Sequence, residues 1–309
     1  MSNNTDIIKP SIGGHDKFVF RQPWLKKGFD VTANDRRGLY KEDSYIQLGV
    51  GKNMAEAIRF WCQAFVVIEQ TTVNEENYTK GDRAFIPTSF GNFVFGDKGL
   101  DPYLEQYSTL WLLHWRICNN HQRGLINHII FSRLFEVEFK KHHLYDLLYK
   151  ELRAKGVTPT DKMVEKETDV FLRTYVPARN SASAALEESL DCPLADLSLI
   201  TYNEVDDIYR FRIGPKNSLT MDVFQYCLVE YLDELTKTRK TASVDEFIYS
   251  TGSPGQFFKL DENSVVEFIE QIEKRSDGAI KIQETAGLRQ VYVHDLSKLR
   301  AHTGLGRVR

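Results

Sequence analysis

The sequence predicts an α+β fold, mostly helical, with an N-terminal winged helix-turn-helix, a helical centre and a C-terminal winged-helix-like region. Three observations predict it. The stretch Leu48-Gly-Val-Gly-Lys52-Asn-Met-Ala-Glu-Ala-Ile-Arg59-Phe-Trp-Cys-Gln-Ala-Phe65 reads as a tight glycine turn feeding an amphipathic helix. Alternating apolar and polar residues around polar turns follow it, from Val73 to Phe95, as a hairpin would. The order helix, turn, helix, hairpin then recurs near the C-terminus, without any repeat in sequence.

Each element has a local reason. Residues 1–14 are polar and read as a tail. Pro23 opens a helix within 18–35, since proline is preset for a first helical turn. Residues 39–48 form a short helix into the Gly49–Gly51 turn. In the helix that follows, Met54, Ala57, Ile58, Trp61, Ala64 and Phe65 share one face, while Lys52, Glu56, Arg59 and Gln63 share the other. A second helix with a polar face after a tight turn is the layout that enters a DNA major groove. Thr88 starts a short helix after the hairpin. Winged-helix boundaries of 15–98 follow.

The span 99–178 reads as helical. Asp101 and Pro102 suit the cap and first position of a helix. Tyr107–Asn119 is rich in Leu and Trp and reads as buried. Residues 125–154 continue as one long helix or a pair, ending at Gly156. Met163–Tyr175 is a further helix. Pro177–Ala185 is small and polar, a linker. The C-terminal region, 186–309, begins with a short helix. A hairpin around Asn203–Asp207 comes next, then helices over 219–236, 243–251 and 261–274, and two strands across Ala279–Val293.

Composition narrows the function. The 309 residues suit about two domains. Cys62, Cys118, Cys192 and Cys227 lie far apart without a paired spacing, which argues against zinc fingers and disulfide frameworks. No apolar run approaches the ~20 residues of a membrane span. Met1–Pro10 lacks a signal-peptide core. A cytoplasmic protein is expected. The net charge of −3 hides a division. Residues 1–60 hold ten Lys/Arg against seven Asp/Glu, and 271–309 hold eight against four, but 180–270 hold seven against seventeen. Basic zones supply phosphate neutralisation, or serve simply as solvated surface.

Several stretches together resemble one family: Trp24-Leu-Lys-Lys-Gly-Phe-Asp30, Leu48-Gly-Val-Gly-Lys-Asn-Met54, Ile58-Arg-Phe-Trp61, Gly99-Leu-Asp-Pro-Tyr-Leu-Glu105, Thr109-Leu-Trp-Leu-Leu-His-Trp115, Phe171-Leu-Arg-Thr-Tyr175, Cys192-Pro-Leu194 and Gly287-Leu-Arg-Gln-Val-Tyr292. They resemble a bacterial family first catalogued as a domain of unknown function. Its genes accompany DNA phosphorothioation and related anti-phage defence, the Ssp system among them. The resemblance implies a subunit that nicks one strand of double-stranded DNA so that sulfur can enter. It also implies a cysteine desulfurase, an ATP pyrophosphatase-like sulfur-transfer subunit and an ATPase as partners. A homodimer is compatible with it.

The residues themselves offer two sets of candidates. For DNA contact, Lys52 and Asn53 sit at the start of the recognition helix, where side chains and backbone N–H groups meet phosphate or base edges. Arg59 can reach phosphate or guanine. Lys26, Lys27, Arg36 and Arg37 suit phosphate, and Arg289 and Gln290 lie in the C-terminal hairpin. For cleavage, nucleases assemble carboxylates around Mg2+ or Mn2+, and no clean signature of that kind is present. Glu136, Glu138 and Lys140 would share a face only on a strand. The surrounding pattern reads as helical, which leaves Glu136 and Lys140 as an i,i+4 surface pair. Asp169 and Arg173, also i,i+4, form either a salt bridge or a functional pair.

His114, His121 and His128 recur every seven residues, too far apart to share one ion. Cys192 sits before Pro193 at a helix start, suited to a thiolate or to burial. The metal ligands stay unknown. Two alternatives to the nickase remain: a non-catalytic recognition subunit that recruits the sulfur-transfer machinery, and a transcriptional regulator.

Overall fold

Helices and three small antiparallel sheets share one continuous apolar core. The structure, a computed structural model, describes residues 10, 12–73, 82–177, 192–285, 287–303 and 305. Most of the expected tail, the tip of the first hairpin and nearly all of the expected linker lie outside these residues.

The N-terminal elements are helix α1 (Trp24–Asn34), α2 (Ser44–Leu48), α3 (Lys52–Ala64), strands β1 (Ile68–Val73) and β2 (Asp82–Pro87), and helix α4 (Ser89–Phe95). Gly49 ends α2 at φ +65°, a left-handed conformation that glycine adopts without strain. The chain can then reverse within three residues and begin α3 at Lys52. Strands β1 and β2 pair from Ile68–Pro87 to Val73–Asp82. Thr88 caps α4 by accepting from Gly91 N at 2.8 Å, and its hydroxyl donates to Val66 O at 2.5 Å.

The centre comprises α5 (Tyr107–Asn119), α6 (Leu125–Arg133), β3 (Glu138–Phe139), α7 (Lys141–Ala154) and α8 (Asp161–Tyr175). Two expectations need correction here. Asp101 caps no helix at Pro102. Its buried carboxylate instead accepts from the backbone N–H groups of Glu105 and Gln106, both at 2.9 Å, which shapes a loop, and α5 starts at Tyr107. Residues 134–140 are not helical either. Phe139 points into the core, stacks on Tyr209 and lies tilted against Phe211 at 5.0 Å, so this short stretch follows the period of a strand.

Strand β3 joins β4 (Ile200–Asn203) and β5 (Ile208–Phe211) in a sheet of order β3-β5-β4. The chain ends with α9 (Met221–Leu235), β6 (Thr241–Ser243), α10 (Val244–Tyr249), α11 (Pro254–Phe257), α12 (Glu262–Arg275), β7 (Ile280–Thr285), β8 (Leu288–Val293) and α13 (Leu296–Ala301). Its sheet has the order β6-β8-β7. Among the described residues no helix is long and apolar enough to cross a membrane.

Candidate nucleic-acid interface

Helix α3 is more enclosed than an amphipathic stripe requires. Ala55, Phe60 and Cys62 are buried along with the expected apolar face. Helix α1 approaches closely at Gly28, where an added Cβ would stand 2.3 Å from Cys62 Sγ. On the opposite flank, residues 12–20 lie along α3. The His15 ring stacks on Trp61 at 5.6 Å and meets Phe60 edge-on at 5.0 Å. His15 Nε2 is 2.9 Å from Glu167 Oε2 of α8, both buried, and Trp61 Nε1 donates to Phe18 O. A water-sized cavity of about 20 Å³ lies beside His15, Arg123, Asn127 and Glu167. This packing leaves solvent mainly the first turn of α3 and the side chains of Glu56, Arg59 and Gln63.

Lys52 and Asn53 are both exposed in that first turn. The Lys52 ammonium lies 5.5 Å from the Tyr45 ring, and Asn53 Nδ2 donates to Asp16 Oδ2 at 3.4 Å. Half-buried Arg59 lies 5.5 Å from the centre of the Tyr40 ring, which in turn stacks on Phe85 at 4.7 Å. Arg36 and Arg37 lie in the loop after α1, where Arg36 O accepts from Phe85 N. Lys26 pairs with Asp30 at 2.5 Å. Lys27 donates to Leu48 O at 2.9 Å, placing its charge at the carbonyl end of α2. Lys52 and Arg59 thus share one edge of α3, Asn53 lies in the first turn toward residues 12–20, and Lys27 is engaged within the fold.

The C-terminal candidates stand in a different field. Arg289 is held by Glu262 at 3.1 Å and Glu284 at 3.2 Å, and Gln290 Oε1 accepts from Tyr292. Helix α12 exposes Glu262, Glu267 and Glu270, carboxylates that repel phosphate.

The cleavage candidates are not brought together. Glu136 is exposed in the α6–β3 loop, not on a helix with Lys140. Glu138 pairs with Arg210 across the β3–β5 ladder. Asp169 pairs with Lys141 at 2.6 Å, while Arg173 donates to Lys17 O at 2.5 Å, so these two do not form the expected pair. Among the described residues no three His, Cys, Asp or Glu are grouped to hold a metal ion. The described cleavage candidates are therefore not assembled into a divalent-cation site.

The histidines have structural partners. His114 lies buried between Tyr175 Oη and Phe257 O, each at 2.9 Å, and burial pushes its pKa down to about 4. His128 contacts Cys118 O and is likewise pushed down to about 4, chiefly by burial. All four cysteines are buried thiols. The Cys62 thiol is shifted upward by burial, away from the reactive thiolate.

Sequence reasoning missed two residues. Asn120, in the turn between α5 and α6, donates to Gln63 O at 2.9 Å and Ala64 O at 3.0 Å. That bond ties the turn to the end of α3 and sets Arg123 beside Phe60, 5.9 Å from its ring. No local pattern signals either one.

A family described as "Protein of unknown function (DUF4007)" matches residues 12–307. The chain belongs to this family. No curated protein matches it. Two solved structures do, one described as the SspB crystal structure and the other as the magnesium ion-bound SspB crystal structure. Each is 22% identical, covers 96% of this chain and 91% of the other, and superposes with a TM-score of 0.81. The fold is thus shared with SspB along nearly the whole chain.

Proposed function

We propose that this protein is a DNA-binding component of a phosphorothioation-type modification and defence system. Its N-terminal unit, within 15–98, acts as a winged helix that presents the start of α3 to duplex DNA. The observation that carries this reading is the edge formed by Lys52 and Arg59, with Asn53 exposed beside it in the first turn. Two cations seven residues apart lie on one side of a helix entered through a glycine turn and followed by a hairpin. Lys26, Arg36 and Arg37 extend positive charge from the neighbouring loops. Glu56 on the same edge disfavours phosphate and suits a base-edge donor such as cytosine N4.

The fold shared with SspB and the family-like stretches support placement in an Ssp-like system. A desulfurase, a sulfur-transfer subunit and an ATPase would then be the partners. Strand nicking with Mg2+ or Mn2+ belongs to the same reading, and one solved structure of this fold is magnesium-bound. The dispersed carboxylates give it no geometric support, so no metal-dependent step is derived. The reading best supported by geometry is recognition.

Duplex binding by the full chain tests it. K52A combined with R59A should weaken binding by about tenfold and reduce its salt dependence. Unchanged affinity and salt slope would remove α3 from the interface. Relaxation of supercoiled plasmid with and without Mg2+, using highly purified protein, decides the nicking step separately.

A further inference from the structure

Asn53 is contacted from outside its own helix. Residues 12–18 form a strap between α3 and α8, and contacts on both sides pin it. The buried His15 ring meets Glu167 at 2.9 Å and stacks on Trp61. Lys17 O accepts from Arg173 at 2.5 Å, and Phe18 O accepts from Trp61 Nε1 at 3.1 Å. Asp16 lies inside this run. Its φ is +53°, a left-handed conformation that aspartate tolerates better than most residues. Its Oδ2 accepts from Asn53 Nδ2 at 3.4 Å, in the first turn of α3.

That contact sets which way round the amide stands. An ionised carboxylate accepts hydrogen bonds and donates none, so the NH2 side of the amide faces Asp16. Among the described residues nothing else bonds the exposed Asn53 side chain. Its oxygen and its second N–H therefore stay open, one acceptor beside one donor. Adenine presents the complement in the major groove, a donor at N6 and an acceptor at N7. Guanine presents two acceptors there, which sets the amide oxygen against O6.

We propose that Asp16 is a positioning residue for sequence readout, holding the Asn53 amide in the orientation that pairs with adenine N6 and N7. This role rests on the DNA-binding reading above. It concerns specificity and not affinity, because a carboxylate beside a duplex repels phosphate. Removing it should relax base preference without weakening binding, a combination that damage to the fold does not produce.

Selection from a pool of random duplexes by the full chain locates the contacted position. The wild type should enrich adenine there, and N53A should not. Anisotropy at about 150 mM salt then compares the selected duplex with one carrying a G·C pair at that position. The wild type should favour adenine by about 5- to 100-fold. D16A should cut this preference to about threefold or less, while binding the G·C duplex at least as well as the wild type does. Replacing the adenine by 7-deaza-adenine, which lacks the N7 acceptor, should cost the wild type most of its preference and D16A little. D16N should fall between, since its amide can turn either oxygen or NH2 toward Asn53.

Undiminished preference in D16A overturns the positioning role. Weaker binding of both duplexes by D16A, with the preference intact, makes Asp16 a structural residue and overturns it too. Wild-type binding without an adenine preference, or a preference that survives N53A, overturns the Asn53 readout and leaves DNA binding standing. Failure of the wild type to bind any duplex removes the underlying reading, and the role of Asp16 with it.

Discussion

Gly28 shows how much can rest on one missing carbon. Helices α1 and α3 approach there until Cys62 Sγ occupies the place a Cβ would take, with Ile58 Cγ2 3.2 Å away. Gly28→Ala should therefore destabilise the chain by about 1–3 kcal/mol through overpacking, as read by urea unfolding. Adding Cys62→Ala should recover part of that loss. The buried histidines set a pH dependence. His114 and His128 stay neutral in the folded chain because their pKa values lie near 4, against 6.5 when exposed. Between those values the unfolded chain binds more protons. Their contribution is thus complete above pH 6.5 and is lost as the pH falls toward 4, at up to about 1.4 kcal/mol per pH unit for each histidine. His114→Gln should flatten the acid limb of a stability–pH curve. An unchanged limb would assign it to carboxylates instead.

Among the elements, the α5–α6 turn is the clearest case of a local structure with a distant purpose. Asn120→Ala removes its bonds to the end of α3 and leaves two carbonyls without that donor. A loss of about 1–3 kcal/mol is expected in chemical denaturation. Elements that are specified locally were legible in the sequence. Pro23, the Gly49–Gly51 turn and the 3.6-residue spacing after Lys52 mark α1 and α3, and Thr88 marks α4. Elements specified by distant partners were not. Strand β3 is two residues long and pairs Glu138 with Arg210, so a helical reading of its flanks absorbed it. Asp101 looked like a helix cap because Pro102 follows it, yet its carboxylate closes a loop instead. The same divide governs the candidate interface. Lys52 and Arg59, seven residues apart on one helix, could be grouped by spacing alone. Asn120 reaches the end of α3 only through tertiary contact, and the pairing of Arg289 with two glutamates became visible only when α12 and the β7–β8 hairpin were placed side by side.

At the scale of the molecule, charge and packing run in different directions. Basic side chains gather around α3, while α12 exposes Glu262, Glu267 and Glu270, so these two helices present opposite charge to a duplex. The core, by contrast, is continuous across them. A fragment limited to residues 15–98 keeps α3 but loses Glu167, Asn120 and Arg123. It should unfold at lower urea than the full chain and bind duplex more weakly. Equal stability and affinity in the fragment would show that the central helices are dispensable for both.

The contact between His15 and Glu167 also bears on how the chain is made. Its two halves are 152 positions apart, the glutamate following the histidine. At synthesis rates of about 5–20 residues per second, roughly 8–30 seconds separate their appearance. During that interval Ile58 and Cys62 can pack against α1, but Phe60 and Trp61 lack their final cover from residues 12–20 fixed to α8. The nascent chain therefore carries an uncovered aromatic face until α8 emerges, and the outer flank of α3 is among the last parts of the N-terminal unit to be completed.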